Sequence, residues 1–117
     1  MVRHNWTDDV SGPSIRVRRL ESDVRQILRK TDEAKLERKY RNALSELRQN
    51  LVDIRIYTNA YEFSEERPEQ LQNAKYAKDY LDQAGQHILK ASEVNVFSAI
   101  DVAHLSAQIE QIIGDLK

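Results

Sequence analysis

The chain has 117 residues, a formal net charge of −1 at pH 7 and charged side chains at 32% of its positions, which is typical of one water-exposed domain with a single core. With only three glycines and two prolines, the composition favours helices over a sheet protein, which would need more turn residues. Cysteine is absent, which excludes disulfides, thiolate nucleophiles and cysteine-ligated metal sites.

The first predicted element is an N-terminal arm over residues 1–13, which ends in the turn signal Ser11-Gly12-Pro13. Trp6 is the one large aromatic residue of this arm. We expect it to dock on the rest of the chain, because burying an indole recovers hydrophobic free energy, and anchoring a partner protein is the alternative. The first helix is predicted to begin at Ser14 as N-cap and to end at Arg29 or Lys30. Its apolar seam consists of Val17, Leu20, Val24, Ile27 and Leu28.

The second predicted helix covers residues 32–62, with Thr31 as its N-cap. At 1.5 Å per residue it would be about 45 Å long, which makes it longer than its neighbours. Beyond Leu51, apolar side chains also appear outside the first apolar face, so this helix needs cover on more than one side. The first face contains Leu36, Tyr40, Ala43, Leu44, Leu47, Leu51 and Ile54, and the added residues are Val52, Ile56, Tyr57, Ala60 and Tyr61.

A third helix is predicted after the break at 63–68, with Pro68 in its first turn. Gly85 lies on its apolar face and predicts a close helix crossing or a kink there. Ser98 and Asp101 form a variant capping box that begins the fourth helix. The apolar faces of these two helices comprise Leu71, Ala74, Ala77, Leu81, Ala84 and Ile88 in the third, and Val102, Leu105, Ile109, Ile112, Ile113 and Leu116 in the fourth.

Four amphipathic helices joined by short connections predict an all-α fold. Over residues 14–117 we expect an antiparallel, up-down-up-down four-helix bundle with one overlong helix at about 32–62. The N-terminal arm at 1–13 lies outside this domain.

Tyrosines mark the candidate interaction surface. Tyr57 and Tyr61 lie four residues apart on the second helix, and a hairpin would bring them level with Tyr76 and Tyr80 on the third. Tyrosine is enriched in the cores of interfaces, although boundary packing and a small-molecule pocket are alternatives. The candidate interface consists of Val52, Ile56, Tyr57, Tyr61, Tyr76 and Tyr80.

The charge is distributed unevenly, because residues 1–60 carry 13 basic against 9 acidic side chains and residues 61–117 carry 5 against 10. The basic half could bind nucleic acid or another polyanion. Interleaved acidic residues at ion-pair spacing and a pI of about 6.3 make this reading secondary to protein interaction. The candidate polyanion face consists of Arg18, Arg19, Arg25, Arg29, Lys39 and Arg41.

The residues offer little for catalysis, since no phosphate loop, nucleophile elbow or paired acid and base is found. His87 and His104 could lie at similar heights in adjacent helices, but the further ligands that a metal centre needs are missing. We therefore expect no cofactor, no metal and no enzymatic activity. An enzymatic or ligand-binding bundle around Tyr57/Tyr76 or His87/His104 is an alternative.

The function expected from the sequence is that of a protein–protein interaction bundle, either a homo-oligomer or one that docks on another protein. No apolar run reaches the roughly 20 residues of a membrane-spanning helix. The first residues lack the apolar stretch of a secretory signal, so a cytoplasmic location without membrane attachment is expected.

Overall fold

A computed structural model describes residues 12–117 of the chain and contains four α-helices in this range. These are α1 (Pro13–Arg29), α2 (Arg38–Phe63), α3 (Arg67–Ser92) and α4 (Ala99–Asp115), with a 3₁₀ turn at Glu33–Lys35 between α1 and α2. The predicted all-α class and the four-helix bundle are confirmed. Most of the predicted arm, including Trp6, lies outside the described residues.

Each helix packs against the two helices next to it in a square. α1 contacts α2 and α4, and α3 contacts the same two helices. Consecutive helices are antiparallel: Tyr40 near the start of α2 donates its hydroxyl hydrogen to Glu93 just after α3, at 3.0 Å. The described part of the chain is elongated, with extents of 55 × 26 × 19 Å.

Large side chains of α2 meet small side chains of α3 in the core. The two helices form the most extensive helix pair of the bundle. Because alanine side chains extend only a short distance from the helix backbone, the leucines of α2 can approach the backbone of α3 closely. The buried residues include Leu44, Leu47, Leu51 and Ile54 of α2, and those of α3 are Ala74, Ala77, Leu81, Ala84, Ile88 and Ala91, four of them alanines.

The second helix begins later than predicted, at Arg38 instead of residue 32. Thr31 does not cap it, because the Thr31 hydroxyl donates to the carbonyl of Ile27 and completes the end of α1. Arg48 binds both carboxylate oxygens of Glu33, which holds the intervening segment in its separate 3₁₀ turn. With 26 residues, α2 is longer than α1 and α4 but equal to α3, so the prediction of a single overlong helix is wrong in this respect.

The other predictions about helix ends and about Gly85 agree with the structure in one case and differ from it in two. Ser98 and Asp101 do form the capping box of α4, which confirms that prediction. The first helix has Gly12 as its N-cap instead of Ser14. A side chain at Gly85 would meet only Ile109, with 3.9 Å between the added Cβ and Ile109 Cδ1, so the expected close crossing is not found there.

The two phenylalanines of the chain lie in opposite environments and provide a matched pair of substitutions. Phe97, between α3 and α4, is 1% exposed, whereas Phe63 at the end of α2 is 81% exposed. We expect Phe97→Ala to lower the free energy of unfolding by about 3–5 kcal/mol, because it leaves a cavity in the core. Phe63→Ala should change it by about 0.5 kcal/mol or less. Urea titrations followed by circular dichroism measure both, and equal losses would contradict this assignment of the core.

Candidate functional site

The side of α2 that faces away from the core carries exposed apolar residues. Ile56 is 52% exposed and Phe63, two turns later, is 81% exposed, while Val52 is partly buried. α2 continues without a break from Arg38 to Phe63, so these residues lie along one straight surface. The sequence predicts Phe63 in the connection at 63–68 and not on this surface, although its spacing of seven residues from Ile56 is that of one helix face. We call this surface the outer stripe of α2, which comprises Ser45, Gln49, Val52, Ile56, Asn59 and Phe63.

The tyrosines of the candidate interface pack mainly against one another inside the chain. The ring centroid of Tyr57 lies 5.0 Å from that of Tyr76 and 5.7 Å from that of Tyr80, and the Tyr57 and Tyr80 rings are almost parallel at 13°. The structure thus brings three of the predicted residues together, as a cluster on the flank where α2 meets α3. Tyr76 is the most exposed of the three, at 42%.

Tyr61 forms a hydrogen bond at one end of the bundle. Its hydroxyl lies 3.3 Å from the backbone carbonyl of Asp115 and joins the last turn of α2 to the end of α4. Of the six residues predicted for the interface, Val52 and Ile56 therefore remain on the outer stripe. Tyr57, Tyr61 and Tyr80 are partly buried in contacts with their own chain.

A carboxylate beside the tyrosine cluster is left without a cationic partner among the described residues. Asp53 accepts a hydrogen bond from the amide of Gln49 at 3.3 Å and forms no ion pair there. Its negative charge, followed by burial of the ring, raises the pKa of Tyr80 above the ordinary value of 10.0. The flank of α2 that faces α3 is thus acidic near the outer stripe.

A polar cluster links α2 to α3 one to two turns from the tyrosines. His87 Nδ1 lies 2.8 Å from Asn50 Oδ1, and His87 Nε2 lies 2.8 Å from a carboxylate oxygen of Glu46. The Asn50 amide nitrogen donates to Gln83 Oε1 at 3.3 Å, so Asn50 joins His87 to Gln83 within the cluster. These side chains line a shallow cleft of about 300 Å³ together with Tyr80.

The sequence predictions do not include Asn50, although its position within an apolar seam is a signal for it. It is 4% exposed and lies at a position that faces the core, between Leu47 and Ile54. A polar residue inside an apolar seam is costly to bury without hydrogen bonds, so its partners could have been sought on the neighbouring helix.

The two histidines do not converge on one site. His87 faces α2, whereas His104 is exposed on the opposite side of the bundle, 3.4 Å from Asp23 of α1. Within residues 12–117 no group of three or more His, Cys, Asp or Glu side chains is placed to hold a metal ion. The arrangement therefore gives no support to a metal centre at His87/His104.

The predicted polyanion face is divided among several surfaces. Arg25 forms an ion pair with Glu21, 2.9 Å between Arg25 Nη2 and Glu21 Oε2. Arg18 lies near Phe63 at one end of α1, and Arg19 lines a different cleft beside His104. The remaining candidates are Arg29 beside Glu33 and Arg48, Lys39 with its amine 5.1 Å from the Tyr40 ring centre, and Arg41 hydrogen-bonded to the carbonyl of Leu36.

Comparison with known proteins assigns the chain to no family. No family model matches its sequence, and no curated protein and no solved structure matches it significantly. In the described part of the chain, none of the helices has the length and hydropathy needed to cross a bilayer.

Removal of the central amide tests the polar cluster. We expect Asn50→Ala to lower the free energy of unfolding by about 1–3 kcal/mol, because His87 and Gln83 then lose their buried partner. Gln49→Ala, one position earlier but exposed, should cost about 0.5 kcal/mol or less. Thermal or urea unfolding of both variants at one pH provides the measurement. A loss for Asn50→Ala no larger than that of its neighbour would show that the cluster does not stabilise the hairpin.

The ion pair that holds the 3₁₀ turn predicts a dependence on pH. The hydrogen bonds from Arg48 lower the pKa of Glu33 below its ordinary value of 4.5. A carboxylate with a lowered pKa in the folded state stabilises the fold above its ordinary pKa, and this contribution is lost as the pH falls through the folded value. We expect Glu33→Gln to cost about 0.5–1 kcal/mol at neutral pH, the range of partly exposed ion pairs.

The difference between Glu33→Gln and the unsubstituted chain should shrink as the pH falls below 4.5. Asp32→Asn, at an exposed neighbouring position, serves as control and should show little effect at either pH. A difference that persists undiminished in acid would contradict the ion pair as its cause.

Proposed function

We propose that this protein is a non-enzymatic interaction module that associates with itself through the outer stripe of α2. The observation that carries the proposal is the exposure of Ile56 and Phe63 on a continuous helix whose opposite side forms the core. Apolar side chains aligned on one surface mark interaction sites more often than the same residues scattered singly. A cytoplasmic location, expected from the sequence, stays a prediction.

The position of α2 in the bundle supports this choice of surface. α1 and α3 lie along its two flanks. α1 contacts the outer stripe at Asn59, whose Oδ1 accepts a hydrogen bond from Ser14 Oγ at 2.9 Å, whereas Ile56 and Phe63 stay exposed. On one flank Arg55 binds Glu21 of α1, with 3.3 Å between Arg55 Nη1 and Glu21 Oε2. On the other flank the Tyr57 ring packs against α3. Within residues 12–117, α1 or α3 could bury Ile56 and Phe63 only if one of these contacts were broken.

Polyanion binding is the second candidate. Arg18, Arg19 and Arg29 are exposed and form no ion pair among the described residues, which favours it. Against it, the nearby arginines are neutralised within the bundle: Arg25 and Arg55 share Glu21, and the remaining pairs are Arg16 with Asp115 and Arg48 with Glu33. Retention on heparin that decreases steeply with salt would support it.

A ligand-binding or enzymatic role has less support. The Tyr57 and Tyr76 rings pack against each other instead of lining a cavity, and His87 and His104 face different helices. The cleft beside His87 is shallow, and its polar side chains already bind one another.

Light scattering coupled to size-exclusion chromatography tests the proposal. We expect the mass to rise with protein concentration from 13.6 kDa toward twice that value. Ile56→Glu should keep the protein monomeric, because a carboxylate on the outer stripe cannot be buried without a partner. Ile100→Glu is the matched control: Ile100 is 81% exposed on α4, and its replacement should leave association unchanged. A monomer at every concentration up to the solubility limit would refute self-association.

A further inference from the structure

The spacing of the outer stripe is that of a coiled-coil seam. Its positions alternate in steps of four and three residues from Ser45 to Phe63, which is the heptad pattern that keeps one face of a helix against a second helix. Ile56 occupies an a position, with Gln49 and Phe63 one heptad to either side. Val52 occupies a d position. The apolar half of this seam is the C-terminal half.

Opposite charges flank the seam. The g positions, on the side of α1, are Arg41, Arg48, Arg55 and Glu62, and the e positions, on the side of α3, are Glu46, Asp53 and Ala60. Arg41 and Asp53 have no ion-pair partner among the described residues, and Arg48 remains 40% exposed while it binds Glu33. From Arg41 to Arg55 one edge of the outer stripe is therefore basic and the other is acidic, and Glu62 follows at the end of the basic edge.

This arrangement distinguishes the two ways in which a second copy could be placed on the seam. In a parallel pair, each g position meets the e position five residues later on the partner helix, so Arg41 faces Glu46 and Arg48 faces Asp53 of the other copy. In an antiparallel pair, g meets g and e meets e, so an arginine meets a carboxylate only through Glu62, which gives two such contacts where the parallel pair has four. An antiparallel register near Ile56 also places Arg55 against Arg55 of the other copy. Like charges at such positions are destabilising.

From the seam and its flanking charges we infer that the occupant of the outer stripe is a second copy of this chain, with the two α2 helices parallel and in register about a two-fold axis. This inference rests on the proposed function and adds the orientation and register of the two copies. The seam is short and only half apolar, so the dimer is reversible and concentration-dependent. Salt weakens it, because the flanking pairs lie at the exposed edges.

Because the chain has no cysteine, single cysteines report the orientation directly. In a parallel pair in register, residue 49 faces residue 49 and residue 63 faces residue 63 of the partner. We expect Gln49→Cys and Phe63→Cys, each alone, to form disulfide-linked dimers under mild oxidation. Ala107→Cys, exposed on α4, is the control for random collision and should cross-link at least tenfold more slowly.

An antiparallel pair centred on Ile56 gives the opposite result. Residue 49 would then lie about 20 Å from its counterpart and would face residue 63 of the other copy. A mixture of Gln49→Cys and Phe63→Cys that forms the mixed dimer, while neither variant cross-links alone, would overturn the inference and leave the proposed function standing. Cross-linking of both variants no faster than the Ala107→Cys control would overturn the inference and the proposed function together.

The flanking charges are tested in the Gln49→Cys background. Asp53→Arg places an arginine opposite Arg48 of the partner and should slow cross-linking at least tenfold, whereas Glu110→Arg on the exposed side of α4 should not. Circular dichroism establishes that each variant is folded. Cross-linking that is insensitive to Asp53→Arg would refute the charge pairing on which the parallel orientation rests.

Discussion

The close approach of α2 to α3 is the interaction on which the rest of this structure depends. Alanines at 74, 77, 84 and 91 present a low surface to the leucines of α2, and all four are buried. Because both helices have 26 residues, they lie side by side over about 39 Å. α1 and α4, with 17 residues each, complete the square along part of this length only.

The same approach determines what lies along the flank between α2 and α3. Side chains that would be separate on a wider hairpin come into contact, so Tyr57 stacks on Tyr80 and Asn50 reaches His87. Large side chains at these positions fill most of the space between the two helices, and a shallow cleft of about 300 Å³ remains beside Tyr80 and His87. The flank therefore stabilises the hairpin, which is a less specialised role than the binding site considered for the tyrosines.

Much of the fold could be predicted from the sequence, because apolar spacing identifies the buried face of each helix independently of its partners. The predictions that failed concern interactions between segments distant in sequence. The start of α2 at Arg38 depends on Arg48 binding Glu33. The burial of Phe97, about which the apolar spacing makes no prediction, depends on how the last connection closes over the core. Neither contact leaves a periodic signal in the sequence.

The candidate surface was predictable in part for the same reason. The excess of apolar residues in the second half of α2 is visible as a break in periodicity, and Ile56 does lie exposed. The tyrosines belong to the same predicted surface, but their side chains already contact one another and, in the case of Tyr61, the end of α4. The apolar pattern of one helix shows that its side chains need contacts outside that helix. Which of these side chains are already buried within the chain depends on the neighbouring helices.

Within the described chain, α1 cannot easily move onto the outer stripe, because its contacts hold it along one flank of α2. Ser14 binds Asn59 and Glu62, with 2.9 Å between heavy atoms in both cases, and Glu21 binds Arg55 further along α1. Each such contact contributes little by itself, about 0–1 kcal/mol. Moving α1 onto the outer stripe would, however, also expose Val17, Leu20 and Val24, whose burial is worth far more than that of Ile56 and Phe63. The balance of buried area therefore keeps α1 on its flank and leaves Ile56 and Phe63 uncovered by the other helices of residues 12–117.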